Sequence, residues 1–436
     1  MTKLASRRWP TQRLKFVASV MPSNVDKLTD PDHLPVRLCN YVDVYKNDRI
    51  SGDMEFMSAS ATPAQIARFA LRGGDVLITK DSETPDDIAV PAYVDSSATG
   101  VVCGYHLALL RPITNRMLGR YLFWAICSRP VSSAFSARAQ GITRFGLTVG
   151  AMGDVPIPLP PPAEQRAIAD FLDRETAKID ALIAAQERLI ALLDEKRQAT
   201  ITHAVTKGLN PDAPMKESGV EWIGDVPEGW ERLRLKRVLR SSDYGISDAL
   251  DAPDGVAVLR MSNIKGGQVV IDDLKYVSSV PSRLLLNIND LLFNRTNSLD
   301  LVGQVGMVRQ ILDHDMSFAS YLVRLRTTIR ARPAYLGYLL NHPELLRLVR
   351  SMAFAAIGQA NLNPTRYAEI VLLLPAVAEQ DDIVACLDGQ TAKIDDLAAK
   401  AAQAIERLRE RRAALITAAV TGQIDVTRPA ITEAAE

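Results

Sequence analysis

Residues 164–206 recur without gaps as residues 379–421, at a constant offset of about 215 and with roughly half of the positions identical. Chance does not produce such a match, so the chain is two copies of one unit, and any fold proposed for it must be a fold written twice. Shared landmarks are Glu164 and Gln165 with Glu379 and Gln380, Leu172 and Asp173 with Leu387 and Asp388, and Thr176-Ala177-Lys178-Ile179-Asp180 with Thr391-Ala392-Lys393-Ile394-Asp395. The offset reaches backwards more weakly. Asp75 to Lys80 lies over Asp290 to Arg295, Pro160 over Pro375, and Trp9, Arg13, Leu14 and Lys15 return, shifted by a few residues, as Trp230, Arg234, Leu235 and Lys236.

The better-matched half of each unit reads as a long helix. Pro160, Pro161 and Pro162 close the strand-like run 155–159 and favour a helix just beyond, because proline is tolerated in the first helical turn and not in the interior. Glu164 then stands where the helix dipole favours a carboxylate. Ile168, Leu172, Ile179, Leu182, Leu189, Leu193 and Ile201 recur at spacings of three and four or their multiples, an apolar stripe along one side. Leu387, Ile394, Leu397, Leu408 and Leu415 repeat it. Neither stripe can be buried alone, so the two helices are expected to pair through Leu172, Ile179, Leu182 and Leu193 against Leu387, Ile394, Leu397 and Leu408. Some forty residues at about 1.5 Å each make a helix roughly 60 Å long. Tandem units pair most naturally head to foot, as an antiparallel coiled coil with a globular domain at each end.

This gives an α+β chain with a pseudo-twofold repeat: a mixed α/β region over 1–160, a central helix over 161–208, a linker over 209–223, a second mixed region over 224–375, a C-terminal helix over 376–425 and a tail over 426–436. The connector is rich in breakers, among them Gly208, Pro211, Pro214, Gly219, Gly224 and Pro227. Strand-like runs at 76–79, 107–110, 256–259, 269–271, 291–293 and 322–325 are separated by turns such as Arg72-Gly73-Gly74 and Lys265-Gly266-Gly267. Residues 121–127 and 335–340 read as short helices.

Several function classes are excluded by what the sequence lacks. No run of about eighteen apolar residues offers a membrane span, and the first ten residues carry two arginines and a tryptophan where a signal peptide needs an apolar core. A cytoplasmic protein with no membrane partner is expected. Cys39, Cys103, Cys127 and Cys386 are far apart and form neither a disulfide framework nor a zinc knuckle. The five histidines show no metal-ligand spacing, so no metal site is assigned. There is no phosphate loop, dinucleotide fingerprint or His-Glu-x-x-His. Asn363-Pro364-Thr365-Arg366-Tyr367 resembles the Asn-Pro-Pro-Tyr loop of amino-methyltransferases but lacks its second proline. No catalytic residue is nominated. Basic and acidic residues balance at 51 each, yet the stretch before residue 159 has about four more basic than acidic residues and 221–374 about two more, a faint electrostatic footprint.

Two unlike globular regions, each ending in Pro160-x-x-x-Glu164-Gln165 or Pro375-x-x-x-Glu379-Gln380 and a helix with Thr-Ala-Lys-Ile-Asp, resemble the specificity (S) subunit of type I restriction-modification enzymes. The connector Glu221-Trp222-Ile223-Gly224-Asp225-Val226-Pro227-Glu228-Gly229-Trp230 looks like the start of a recognition domain in that family, as do Gly74 to Ile78 and Asn289 to Phe293. The resemblance implies two target recognition domains reading an asymmetric, bipartite double-stranded DNA target. It also implies assembly with two methyltransferase (modification) subunits and two restriction (translocase/endonuclease) subunits. S-adenosylmethionine, ATP and Mg would belong to those partners, with no cofactor in this chain. Base reading calls for Arg, Lys, Asn or Gln at groove edges, because these make the bidentate contacts that distinguish guanine and adenine. Candidates after the shared strand and before the shared helix are Lys80, Arg138, Gln140 and Arg144 in the first domain, and Asn294, Arg295, Asn297, Gln359 and Asn361 in the second. One rival reading is an orphan DNA-binding protein of the same fold, serving methylation without restriction; another is a coiled-coil scaffold joining two protein-binding domains without DNA contact.

Overall fold

The computed structural model describes residues 9–220, 222–356 and 358–426; the N-terminal eight residues, Glu221 of the connector motif, Ile357 and 427–436 of the expected tail lie outside the described residues. In chain order the first globular region places Ala18–Pro22 (β1), Arg49–Ile50 (β2), Val76–Thr79 (β3), Pro91–Val94 (β4) and Leu107–Pro112 (β5) in one sheet, followed by helices Gly119–Cys127 (α1) and Arg129–Ser136 (α2). Helix α3, Pro162–Lys207, comes next. The second region builds a sheet from Leu239–Tyr244 (β6), Ile264–Lys265 (β7), Gln268–Val269 (β8), Leu291–Asn294 (β9), Val305–Met307 (β10) and Leu322–Thr327 (β11), with helices Pro333–Leu340 (α4) and Pro343–Ser351 (α5). Helix α6, Val377–Val420, completes the set. By contacts the chain divides into two compact units, Met1–Arg188 with Ala401–Glu436, and Leu189–Lys400, so each unit holds one globular region and part of each long helix.

The repeat that is faint in sequence is plain in topology. The first sheet runs β1-β5-β3-β4-β2 and the second β6-β11-β9-β10-β8-β7; in each the first four strands are antiparallel neighbours and the next is parallel. Strands β3 and β9 are buried throughout because both faces of the sheet are covered, which explains their unbroken apolar runs. Val76 and Ile78 pack on the helical side with Tyr121, Leu122 and Ile126, while Leu77 joins the core under a second small sheet. Leu291 and Phe293 likewise face α4, and Leu292 the opposite core.

Two repeated polar anchors, and a repeated positive-φ position beside the first, account for the sequence landmarks. Asp75, buried, accepts two bonds from the Arg111 guanidinium and one from Arg72 N–H; Asp290, in the same place, accepts the same set from Arg326 and Asn287 N–H. The residue before each aspartate has positive φ, Gly74 in one copy and Asn289 in the other, the two residue types that enter this region at least cost. Gln165, buried in the first turn of α3, accepts from Leu118 N–H and donates to the carbonyls of Arg116 and Pro160; Gln380 of α6 does the same with Arg332 N–H and the carbonyls of Arg330 and Pro375. Thus the Pro-x-x-x-Glu-Gln motif is a joint between sheet and helix.

Within the first unit Ile168 and Leu172 of α3 share a core with Ile416, Ala419 and Val420 of α6. Arg412 binds Asp180, with Nε to Oδ1 at 2.9 Å, and Arg409 approaches Glu187 at 3.6 Å, so advancing along α3 means retreating along α6: the helices are antiparallel. In the second unit Ala204 and Val205 of α3 share a core with Ile383 and Leu387 of α6, and Arg197 pairs with Asp395, again antiparallel. Arg197 and Arg412 are repeat equivalents, as are Asp395 and Asp180, so each helix offers the other the same ion pair. Such partly exposed pairs are worth about 0–1 kcal/mol each, whereas burying one leucine or isoleucine contributes about 1.5–3 kcal/mol. Burial therefore holds the helices and the ion pairs fix their register.

The seam departs from the expected stripe at three places: Leu189 is 41% exposed, with half-buried Ile190 taking its position, and the other two are a repeat pair. Leu172, Ile179, Leu193, Leu387 and Ile394 are buried and Leu408 is half-buried, but Leu182 and its equivalent Leu397 are 52% and 50% exposed. The covered positions of α3 are Leu172, Thr176, Ile179, Ile183, Gln186, Ile190, Leu193 and Arg197, alternating by four and three, a true heptad seam in which Ile183 takes the place expected of Leu182. Replacing Leu193 and Leu408 together by aspartate should leave a carboxylate unpaired in each seam at about 3 kcal/mol apiece. Far-UV circular dichroism and thermal melting should then show loss of the long helices; an unchanged melt would contradict the pairing.

Candidate nucleic-acid interface

In each unit the chain leaves its central strand at a cation. Lys80 follows β3 and Arg295 follows β9, in the same place of the repeat, and both turn toward the end of the first strand of their sheet. The Lys80 ammonium donates to the Ser23 carbonyl at 3.1 Å and lies 4.1 Å from the centre of the Tyr105 ring. Burial lowers the pKa of this ammonium from its ordinary value. The Arg295 guanidinium lies over the Tyr244 ring at 5.2 Å, and by strand register Tyr244 occupies the place of Pro22, one residue before Ser23. Tyr105 and Tyr244 are each about half exposed, so each cation sits beside an accessible aromatic face.

Beyond Lys80 in the first unit, Asp81–Ser82 pairs with Phe145–Gly146, and the intervening turn is closed by two backbone bonds between Gln140 and Gly146, at 3.0 and 2.9 Å. Leu147 N–H donates to the Lys80 carbonyl, fastening this hairpin to the central sheet. Asp81 gathers the side chains: Arg144 donates to Oδ1 at 2.9 Å and His106 Nδ1 lies 2.9 Å from Oδ2. Arg144 nevertheless remains largely exposed.

In the second unit the same ladder is Thr296–Asn297 against Gln359–Asn361, extended by Phe354–Ala356. Arg295 donates to Asn361 Oδ1 at 3.1 Å and Asn361 Nδ2 to the Thr296 hydroxyl at 2.9 Å, so cation, amide and hydroxyl form a chain along one surface. Asn297 uses its Oδ1 to accept from Ser298 N–H, and Gln359 is exposed.

The nine sequence candidates thus divide. Lys80, Gln140 and Arg144 come together around one hairpin, and Arg295, Asn297, Gln359 and Asn361 around its counterpart. Arg138, just past α2, turns back to donate to the Ala134 carbonyl of that helix. Asn294 is wholly buried, since the last residue of β9 still lies under both covering layers, and so leaves the surface set. Sequence reasoning missed Asp81, His106, Tyr105, Tyr244 and Thr296. Asp81 and Thr296 could have been found, because they stand next to the repeated cation at the same offset; the tyrosines carry no local signal. Asn363, from the methyltransferase-like motif, caps a short helix by accepting from Thr365 N–H, and Tyr367 stacks on Phe293 with ring centres 4.0 Å apart, both structural uses. Among the described residues no cluster of histidine, cysteine or carboxylate side chains could hold a metal, and no helix is long and apolar enough to cross a membrane.

A family model described as the type I restriction modification DNA specificity domain matches residues 37–190, which include the first patch. The chain is 27% identical over 275 residues to the type I restriction enzyme EcoKI specificity subunit of Escherichia coli (strain K12), covering 62% of this chain and 57% of that protein. It is 26% identical over 306 residues to the EcoBI specificity subunit of Escherichia coli, covering 67% and 63%. The matched part is therefore less than two thirds of either relative. A chain solved in work on complex assembly and conformational transition of the type I R-M system shares the fold over 97% of this chain and 100% of its own, with a TM-score of 0.72 at 18% identity. The HsdS subunit from Thermoanaerobacter tengcongensis shares it at a TM-score of 0.53 and 18% identity, over 97% of this chain and 99% of that one.

Arg295 and Arg144 should respond differently to truncation. Arg295→Ala removes packing on Tyr244 and the bond to Asn361 and should lower stability by about 1–2 kcal/mol. Arg144→Ala, on the open side of its hairpin, should stay within about 0.5 kcal/mol of the parent. Urea unfolding of both variants checks this; equal losses would contradict the burial difference.

Proposed function

We propose that this chain, which belongs to the type I restriction-modification specificity subunits, reads a DNA target in two parts, one with each hairpin patch. The observation that carries this reading is that the two patches occupy the same place in a repeated frame and carry different chemistry. Lys80, Asp81, Arg144 and Gly146 in one copy stand where Arg295, Thr296, Gln359 and Asn361 stand in the other. Equal frames with unequal donors read unequal half-sites. Arginine and lysine suit guanine, amides suit adenine and a carboxylate suits cytosine, so the target is asymmetric as well as bipartite, with unread base pairs between its halves. A scaffold that joins two protein-binding domains gives no reason for exposed cations and amides to gather on matched hairpins.

On this reading the chain works in the cytoplasm and has no catalytic site. It brings the target to two methyltransferase subunits and two restriction subunits. S-adenosylmethionine serves the first of these, ATP and Mg the second. The near-zero net charge fits a protein whose grip on phosphates is shared with such partners.

Single-molecule methylation mapping of DNA from cells making this chain with its methyltransferase partner tests the proposal. One gapped, asymmetric methyl-adenine motif that disappears without this chain is expected; no chain-dependent motif, with the partner bound and active, would overturn it. In the same assay Arg144→Ala should relax one position of one half-site and Gln359→Ala one position of the other, each losing about 1–3 kcal/mol of discrimination. Relaxation of both half-sites by one substitution would contradict the assignment of one patch to each.

A further inference from the structure

At the tip of the first hairpin Ile142 is 94% exposed, more than any other large apolar side chain among the described residues. A lone exposed apolar residue needs no explanation on a mobile loop, but this turn is rigidly framed. The two Gln140–Gly146 backbone bonds close it and the Asp81–Ser82 ladder carries it. Gly141 has φ of +149°, and a Cβ there would stand 1.9 Å from the Arg144 carbonyl, so the backbone is folded tightly against itself at the residue before Ile142. The turn holds an isoleucine outward, two residues from the exposed Arg144 guanidinium and on the same hairpin as Gln140.

A surface that joins a cation, an amide and one projecting branched apolar group matches the edge of a base pair better than it matches a phosphate, which offers nothing to an aliphatic side chain. In the major groove the apolar feature of a base edge is the C5 methyl of thymine. We infer that Ile142 contacts a thymine methyl in the half-site read by the first unit, and so helps set its sequence. The inference rests on the DNA-reading function proposed above. The equivalent position in the second copy, Ile357, lies outside the described residues.

The test uses the complex of this chain with its methyltransferase partner and the target found by methylation mapping. Thymines of both half-sites are replaced singly by deoxyuridine, which lacks only the methyl, and binding is measured for the parent and for Ile142→Ala, with thermal melting to show that the variant is folded. For the parent, one replacement in the half-site that Arg144→Ala relaxes should weaken binding about fourfold, the worth of one buried methyl. Ile142→Ala should lose the same factor on thymine-containing DNA and become indifferent to that replacement, with its response to the other half-site unchanged. A first half-site without any A·T pair, or a variant that keeps the parent's sensitivity to every replacement, would overturn the inference while leaving a chain-dependent motif intact. Absence of any such motif would instead sink the function on which it rests.

Discussion

Everything in this chain depends on covering two apolar stripes that are each too long and too narrow to be buried any other way. A helix of 46 residues (α3) and one of 44 (α6) gain little from helix propensity alone, and what holds them is the tertiary burial of a heptad face. Each stripe finds the other, because each was copied from the same template. The copies are complementary only when antiparallel, which the reciprocal Arg197–Asp395 and Arg412–Asp180 pairs express: the donor on one helix is the repeat of the donor on the other. This is the logic of a twofold homodimer interface, where residue i meets j and j meets i, realised inside one polypeptide.

The globular regions follow from that constraint. Each must end at a helix start in a fixed way, and the buried glutamines Gln165 and Gln380 supply it. Each must also keep its central strand in place, which Asp75 and Asp290 do from below by tying down Arg111 and Arg326. What lies beyond the strand is free of these duties, and there the two copies carry different chemistry: a histidine, aspartate and arginine gather in one, a hydroxyl, amide and arginine in the other.

How much of this was legible in the sequence can be traced residue by residue. The long helices, the repeat and the strands of 76–79 and 256–259 were readable because apolar periodicity and self-similarity are local signals. The strand expected at 269–271 is shorter and ends at Val269. The seam was misread at Leu182, because a leucine one position from the heptad fits a three-and-four stripe as well as Ile183 does, and only the partner helix decides between them. Of the candidate interface residues, Lys80 and Arg295 were readable by their place after a shared strand. Tyr244 and Tyr105 were not, since they arrive from distant segments through the sheet order. Asn294 was misplaced because polarity alone does not tell an exposed strand end from one still under cover.

The joints made by Gln165 and Gln380 have one further property. Each spends its hydrogen bonds on peptide N–H and C=O groups, of Leu118, Arg116 and Pro160 in one case and of Arg332, Arg330 and Pro375 in the other. Peptide groups are the same whatever side chains they carry. The joint therefore works as a standard fitting: a globular region can change its surface residues and still dock on its helix, and the helical frame need not be redesigned when it does.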